Sequence, residues 1–396
     1  MNRPLVLHDF LNAPDGGGKV AAILAQSFDA KLWTGELNKA AFPPNYFKGV
    51  TPQSLEAYKS TPVWLKFSKI FQLWWAFAHF PKVSPPWTVF SGSFSPLAQK
   101  KIRGRKIFYC LTPPRLLYDQ KSFLLKQVSP WQRPFLKGVM SLYRMAYEHA
   151  ITQMDRVVTI SQTVRERIKR YLGYDSVVVY PGCEVGRFEW IEQGDFYLST
   201  ARMDPLKRVD LIVRAFKKMP DKRLVVVSGG TDLDRIKAMA ADSPNIDILG
   251  WVNEDRLEDL MGRCIATVYI PRDEDFGMSP VESMAAGKPV IGVREGGVME
   301  TVGNRGLRSE VRSGRSEVRG ERGNRGKYDE RMTVSECGVL VPPAPQVNDI
   351  IEAVLWMTSE RALQMRTFCE KRAQGFSTDV FIRQMRKVIE GDSVRT

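Results

Sequence analysis

Two α/β domains, each built on a parallel doubly wound sheet, are what this sequence predicts. The first reason is length: 396 residues are enough for two domains that each bury a core. The second is the latter half, where short apolar runs at 195–200, 223–230, 246–251, 264–270 and 289–293 alternate with helical stretches. The third is the first half, where runs at 5–10, 87–91, 106–110, 155–161 and 176–180 end at Pro181-Gly182. The expected division is a domain over 1–185, a crossing at 183–194, a second domain over 195–374 and a terminal segment over 375–396.

Composition bounds the class. Hydrophobic content of 43% beside charged content of 26% is that of a globular chain, which excludes a fibrous or wholly disordered one. Cys110, Cys183, Cys264, Cys337 and Cys369 are scattered and odd in number, with no Cys-x-x-Cys, so neither a disulfide framework nor a zinc site is indicated. A reducing cytoplasm fits, and the start, Met1-Asn-Arg-Pro, lacks the apolar core of a secretory signal. The net charge of +14 suits an anionic partner: phosphate-bearing substrate, acidic lipid or nucleic acid.

In chain order, the first strand leads into a loop over 12–18, with a helix expected from about Lys19. Gly16, Gly17 and Gly18 permit a tight turn with amides facing a ligand, or a plain turn. A nucleotide P-loop fails at Ala13 and Val20. Residues 62–87 carry a wide aromatic band on one helical face, including Trp64, Phe67, Phe71 and Trp74, with lysines around it. Its uncharged run, 70–81, is far shorter than the roughly 20 residues a membrane span needs. Two readings stay open: a core helix, or an interfacial one resting on an anionic membrane surface, which the basic body slightly favours. Helices follow at 141–150 and 163–172. His8, next to Asp9 at the end of the first strand, reads as structural.

In the second half, Arg202 ends a strand and Lys207 opens the next helix, so both cations can serve a diphosphate, the guanidinium in bidentate fashion and the ammonium as a point charge. The run Glu274-Asp-Phe-Gly-Met-Ser-Pro-Val-Glu282 is a strand-to-helix turn. Helix N-termini of this kind offer amides and positive dipole to an anion. Gly277 allows close backbone approach, Pro280 suits the first helical turn, and Glu274 and Glu282 flank the bend. Gly296, Gly297 and Glu300 lie in another turn on the same edge. Residues 304–331 hold nine Lys or Arg against five Asp or Glu, with a repeated Arg-Ser-Glu-Val-Arg, and read as a solvated, disordered insertion. A strand at 337–341 and helices at 349–357, 360–374 and 378–390 complete the chain.

Arg202-x4-Lys207, Glu274-x7-Glu282 and Gly287-Lys-Pro-Val-Ile-Gly together resemble the retaining family 4 glycosyltransferases of GT-B fold. The resemblance implies two Rossmann-like domains with parallel sheets facing an interdomain cleft. The first would be the acceptor side, with a loop at Gly16 and Gly17. The second would bind a nucleotide-diphosphate sugar, and the terminal helix would cross back to the first. It further implies that Glu274, Arg202 and Lys207 are catalytic, that Phe276, Gly277, Met278 and Ser279 line the donor, and that Glu282 meets the ribose. No metal cofactor is expected.

The segment Tyr109-Cys-Leu-Thr-Pro-Pro-Arg-Leu-Leu-Tyr-Asp119 resembles the mannosyltransferases of O-antigen assembly. That implies GDP-mannose as donor, a saccharide or polyprenyl-diphosphate-linked saccharide as acceptor, and a role in cell-surface polysaccharide synthesis. One departure is Leu111, where that branch has a histidine facing the donor. Two rival readings remain: a metal-dependent transferase using Asp273-Glu-Asp275, and a catalytically silent nucleotide-sugar-binding relative. Nucleic acid is not an expected partner.

Overall fold

A computed structural model describes residues 3–43, 46–60, 69–121, 125–126, 128–303 and 332–391. The chain divides into two compact units, one of Met1–Gly182 with Thr378–Thr396 and one of Cys183–Ser377. The segment expected as a crossing, 183–194, therefore belongs with the second unit. The insertion expected at 304–331 lies outside the described residues.

The first unit is a seven-stranded parallel sheet of β1 (Leu5–Leu11), β2 (Lys31–Leu37), β3 (Gln53–Ser54), β4 (Trp87–Ser91), β5 (Arg105–Cys110), β6 (Arg156–Thr159) and β7 (Val177–Val178). Their order is β3-β2-β1-β4-β5-β6-β7. β1 is central and buried at every position but Phe10, as a strand covered on both faces must be. β2 was not expected, because Gly35 and Glu36 interrupt its apolar pattern. The glycine is required by packing: a Cβ at Gly35 would lie 2.6 Å from Leu73 Cδ2 and 2.7 Å from the Asp9 carbonyl. Asp9 itself is buried and accepts from the amides of Ser93, Phe94 and Ser95 at 2.5, 2.8 and 2.8 Å, which fixes the loop after β4. Burial raises its carboxyl pKa, while His8 and those three amides oppose the rise.

Helix α1 (Gly16–Ser27) corrects the expected start near Lys19. Asp15 is its N-cap and accepts from Gly18 N at 2.6 Å, so Gly16, Gly17 and Gly18 form the first helical turn rather than a loop. Propensity misled here because glycine is a poor helix former, whereas tertiary packing demands it. A Cβ at Gly17 would lie 2.8 Å from Leu111 Cδ1 and 3.3 Å from His8 Cε1.

Helix α2 (Lys69–Ala78) is the described part of the aromatic band, Trp64 and Phe67 lying outside the described residues. It turns Leu73, Ala76 and Phe77 into the core, and Trp74 packs on the cluster of Leu117, Met140 and Tyr143. Of the α2 aromatics, Phe77 is buried and Phe71, Trp74 and Trp75 are half-buried, so the described part of 62–87 sets one face into the core, and the rest of that stretch, 62–68, lies outside the described residues. The 20-residue helix α3 (Arg133–Thr152) buries Met140, Tyr143, Tyr147, Ala150 and Ile151. The terminal helix, Thr378–Glu390, belongs to this unit. It buries Phe381, Met385 and Val388, stacks Phe381 edge-on against Tyr109, and has its last carbonyls, Val388 and Ile389, capped by Arg105.

The second unit orders β8 (Phe196–Ser199), β9 (Arg223–Val227), β10 (Ile246–Gly250), β11 (Thr267–Tyr269), β12 (Val290–Val293), β13 (Thr333–Ser335) and β14 (Gly338–Val341) as β10-β9-β8-β11-β12-β14-β13. All neighbours are parallel except β13, an antiparallel edge strand that the sequence reading did not contain. β11 is shorter than the expected 264–270, although Cys264, Ile265 and Ala266 are also buried. One core cluster gathers Phe188, Phe196, Leu198, Val225, Leu260 and Met261. Both units are therefore doubly wound α/β folds, as the alternating pattern predicts.

Candidate functional site

In the second unit the strand order reverses between β8 and β11, which pair directly through Leu198 and Thr267. Loops leaving two such strands open a crevice at their carboxyl ends, where ligands of open α/β sheets bind. The loop after β8 carries Arg202 and Lys207, and the loop after β11 carries Glu274. A backbone bond from Arg272 N to Leu206 O, 2.7 Å, ties the two loops together.

Lys207 and Glu274 meet here. Nζ of Lys207 donates to Glu274 Oε2 at 2.6 Å and to the Tyr269 hydroxyl at 3.2 Å, with both members of the ion pair about one-fifth exposed. Burial pushes the Tyr269 phenol well above its ordinary pKa, and the Glu274 carboxylate adds to this. Tyr269 therefore stays protonated, its hydroxyl hydrogen-bonded to Glu274 while it accepts from Lys207. Glu282 lies in the second turn of the helix that follows, and its carboxylate charge adds to the rise at Tyr269. Arg202 is arranged differently. Its side chain is 65% exposed and its Nε donates to Asp204 at 2.9 Å, so the structure gives it a carboxylate partner of its own on the rim.

Helix α4 (Met278–Ala285) follows directly. Gly277 is its N-cap at φ 92°, a conformation that a side chain rarely adopts, with Met278 and Ser279 half-buried in the first turn and Pro280 third. The loop before it is held from the β12 side. Gly297 N donates to the Glu274 carbonyl at 2.7 Å, and a Cβ at Gly296 would stand 2.4 Å from that same oxygen. Glu300 lies in the short helix Val298–Val302 behind this contact.

Four contributors escaped the sequence reading. Tyr269 is one. Asp204 is the second: its carboxylate accepts from Leu206 N at 3.1 Å and starts the turn that delivers Lys207. Arg208 and Glu295 are the others, a pair at 3.0 Å with the arginine only 7% exposed. Glu295 also accepts from Asp273 N at 2.8 Å, so it joins both loops through one carboxylate. Glu295→Ala leaves a buried guanidinium without its counter-ion, and loss of one partner of such a pair costs about 3 kcal/mol or more. The expected result is a lowered thermal midpoint; an unchanged one would deny Glu295 this role. Only proximity in sequence to Gly296 hinted at it.

In the first unit, Gly16 and Gly17 open α1 at the carboxyl end of β1, Gly16 exposed and Gly17 half-buried. His8 is 5% exposed with Nδ1 3.4 Å from Ser91 Oγ, a structural setting. Leu111 fills the space beside Gly17.

The chemistry this arrangement offers is anion binding by an ammonium, a phenolic hydroxyl and the amides of a helix N-terminus, with a carboxylate 2.6 Å from the ammonium. Comparisons with known proteins bear on the family and the fold. Residues 186–311 match the family described as glycosyl transferases group 1. An uncharacterized glycosyltransferase of Methanocaldococcus jannaschii, MJ1178, is 30% identical over 173 residues, covering 42% of this chain and 48% of that protein. The O-antigen chain mannosyltransferase RfbU of Salmonella typhimurium is 26% identical over 200 residues, 48% of this chain and 56% of its own length. The chain thus spans about half the length of the curated relatives it matches. Among solved structures, Anabaena Alr3699/HepE in complex with UDP and glucose superposes with a TM-score of 0.67 at 13% identity, covering 98% of this chain and 100% of that one. Likeness at that identity establishes the fold, which is of GT-B type.

Proposed function

We propose that this chain, a GT-B protein whose residues 186–311 match the group 1 glycosyltransferases, moves a hexose from a nucleotide-diphosphate donor to a saccharide or polyprenyl-diphosphate-linked acceptor with retention at the anomeric carbon. The observation that carries the reading is the meeting of Lys207, Glu274 and Tyr269 beside the N-terminus of α4, at the switch point of the second sheet. Charge grows on the departing diphosphate as the glycosidic bond breaks. Fixed donors aimed at it stabilise the transition state more than the ground state. Lys207 and the backbone of Phe276, Gly277, Met278 and Ser279 supply those donors, and Arg202 closes on the diphosphate from the rim. Glu274 then accepts from sugar hydroxyls and Glu282 from the ribose.

GDP-mannose is the donor we favour, from the 109–119 segment and the named activity of RfbU, with cell-surface polysaccharide synthesis at the cytoplasmic face of the membrane as setting. Trp251 adds support for a nucleotide. It is 70% exposed after β10, against Gly229, two strands from β8 and so about 10 Å along the same sheet edge, a distance suited to a base when the diphosphate lies at the switch point.

A screen of nucleotide sugars by thermal unfolding tests the reading. The donor stabilises the native state by about 2.7 kcal/mol at a hundredfold excess over Kd, and transfer continues in excess chelator because no step here needs a divalent metal. If no nucleotide sugar raises the midpoint, the reading is lost; loss of transfer in chelator favours the metal-dependent alternative through Asp273 and Asp275. Leu111, packed at Gly17 where the resembling branch has histidine, favours one second reading, a silent donor-binding relative. Stabilisation by a donor with no product formed identifies that case.

A further inference from the structure

Helix α3 has two apolar faces. One is buried in the first unit. On the other, Phe135, Leu142 and Met145 are 64%, 61% and 64% exposed, and Trp131, in the turn just before the helix, is 78% exposed. The spacing of seven and three residues puts Phe135, Leu142 and Met145 on one side at 3.6 residues per turn, roughly opposite Met140, Tyr147 and Ile151, which are buried. Four of the largest exposed apolar side chains of the described chain thus lie along one helix and its lead-in turn. Contiguous patches of this kind mark interaction surfaces.

The charges beside the patch point to its occupant. Within the described part of 125–149 the cations are Lys126, Arg133, Lys137 and Arg144, of which Lys126, Lys137 and Arg144 are exposed. The one carboxylate there is Glu148, engaged by Arg144 Nε at 2.6 Å and by the Tyr118 hydroxyl at 3.2 Å. A protein partner's apolar face gives no reason for such a one-sided charge. An anionic bilayer does, with aromatic and aliphatic side chains entering the interface and lysines meeting headgroup phosphates. Among the described residues no helix is long and apolar enough to cross a membrane, so contact of this kind is surface contact.

We infer that the exposed face of α3, with Trp131, seats the protein on an anionic phospholipid bilayer. The face is distinct from α2, whose aromatics are buried or half-buried, and from the Lys207–Glu274 site in the other unit. It does not rest on the proposed transfer reaction, because lipid binding is read without donor or acceptor.

The test is co-sedimentation of the full chain with vesicles of equal parts phosphatidylglycerol and phosphatidylcholine, against vesicles of phosphatidylcholine alone. The protein is expected to pellet with the mixed vesicles and to be released by salt. The triple variant Trp131→Ser, Phe135→Ser, Leu142→Ser is expected to weaken binding about tenfold or more, since affinity follows buried apolar area. Its thermal midpoint should be preserved because the replaced side chains are exposed. Leu355→Ser, which removes an exposed leucine of the second unit, should bind as the parent does. Undiminished binding by the triple variant overturns the inference, as does absence of binding to the mixed vesicles. So does a triple variant that merely dissociates an oligomer while lipid binding is unaffected, since the face then docks a second copy.

Discussion

Lys207→Ala is expected to lower kcat about a hundredfold or more, the usual cost of removing one donor aimed at developing charge. The ammonium lies 2.6 Å from Glu274 Oε2, 3.2 Å from the Tyr269 hydroxyl and 5.6 Å from the Tyr269 ring centre, so three groups hold it in place before any donor arrives. A purely architectural ion pair would give a different result. Removing the lysine strands a mostly buried carboxylate and costs about 1–3 kcal/mol of stability. Lys207→Ala with Glu274→Gln would then restore the thermal midpoint, and with it activity. A transfer role predicts recovery of the midpoint alone, because the double variant still lacks the cation for the diphosphate and the carboxylate for the sugar. Near-normal turnover in Lys207→Ala, or restored turnover in the double variant, refutes the assignment. Glu274→Ala alone is expected to fall as far as Lys207→Ala.

The second large effect is expected from one methyl group. In Gly297→Ala the new Cβ would lie 2.5 Å from Phe276 Cα and 2.7 Å from the Asp275 carbonyl, inside van der Waals contact with backbone that has no rotamer to yield. The loop of Glu274 to Phe276 must shift, and Gly297 N, which bonds the Glu274 carbonyl at 2.7 Å, shifts with it. Misplacing a catalytic group by about 1 Å costs on the order of a hundredfold, and overpacking costs about 1–3 kcal/mol. We expect kcat/KM to drop by about that factor with a moderately lower melting midpoint. Gly186→Ala is the control, since a Cβ there meets nothing within 4 Å, and it should leave both quantities unchanged. Equal behaviour of the two variants would show that the Gly297 contact does not position the loop.

These two experiments probe residues of different legibility. Lys207, Glu274 and Glu282 were singled out from the chain because each lies just beyond a strand or in the first turns of the helix after it, in spacings that resemble a known family, and such patterns are local. Tyr269 gave no such signal, since an aromatic at the end of a buried run looks like core and is half of each. Arg208 and Glu295 were invisible for a simpler reason: their pairing spans 87 residues, and nothing local distinguishes a buried arginine from a surface one. The glycines at 16–18 were misplaced because intrinsic preference argues for a loop, while Leu111, His8 and Leu11 occupy the spaces that side chains at Gly17 and Gly18 would need.

The sequence by itself determined the fold class and pointed to a chemistry. Alternation of apolar runs with helices dictates parallel α/β sheets, and the cations and helix-opening turns after those runs make anion binding the expected chemistry, because both follow from neighbours along the chain. Only the tertiary structure decided which loops meet. Strand order 10-9-8-11 brings Lys207 to Glu274, and that order is set by crossovers and packing between strands distant in sequence. It decided, too, that Phe77 of α2 turns inward while Phe135 of α3 turns out. A helical period shows that a helix has an apolar face, but burial depends on what the rest of the chain lays against it.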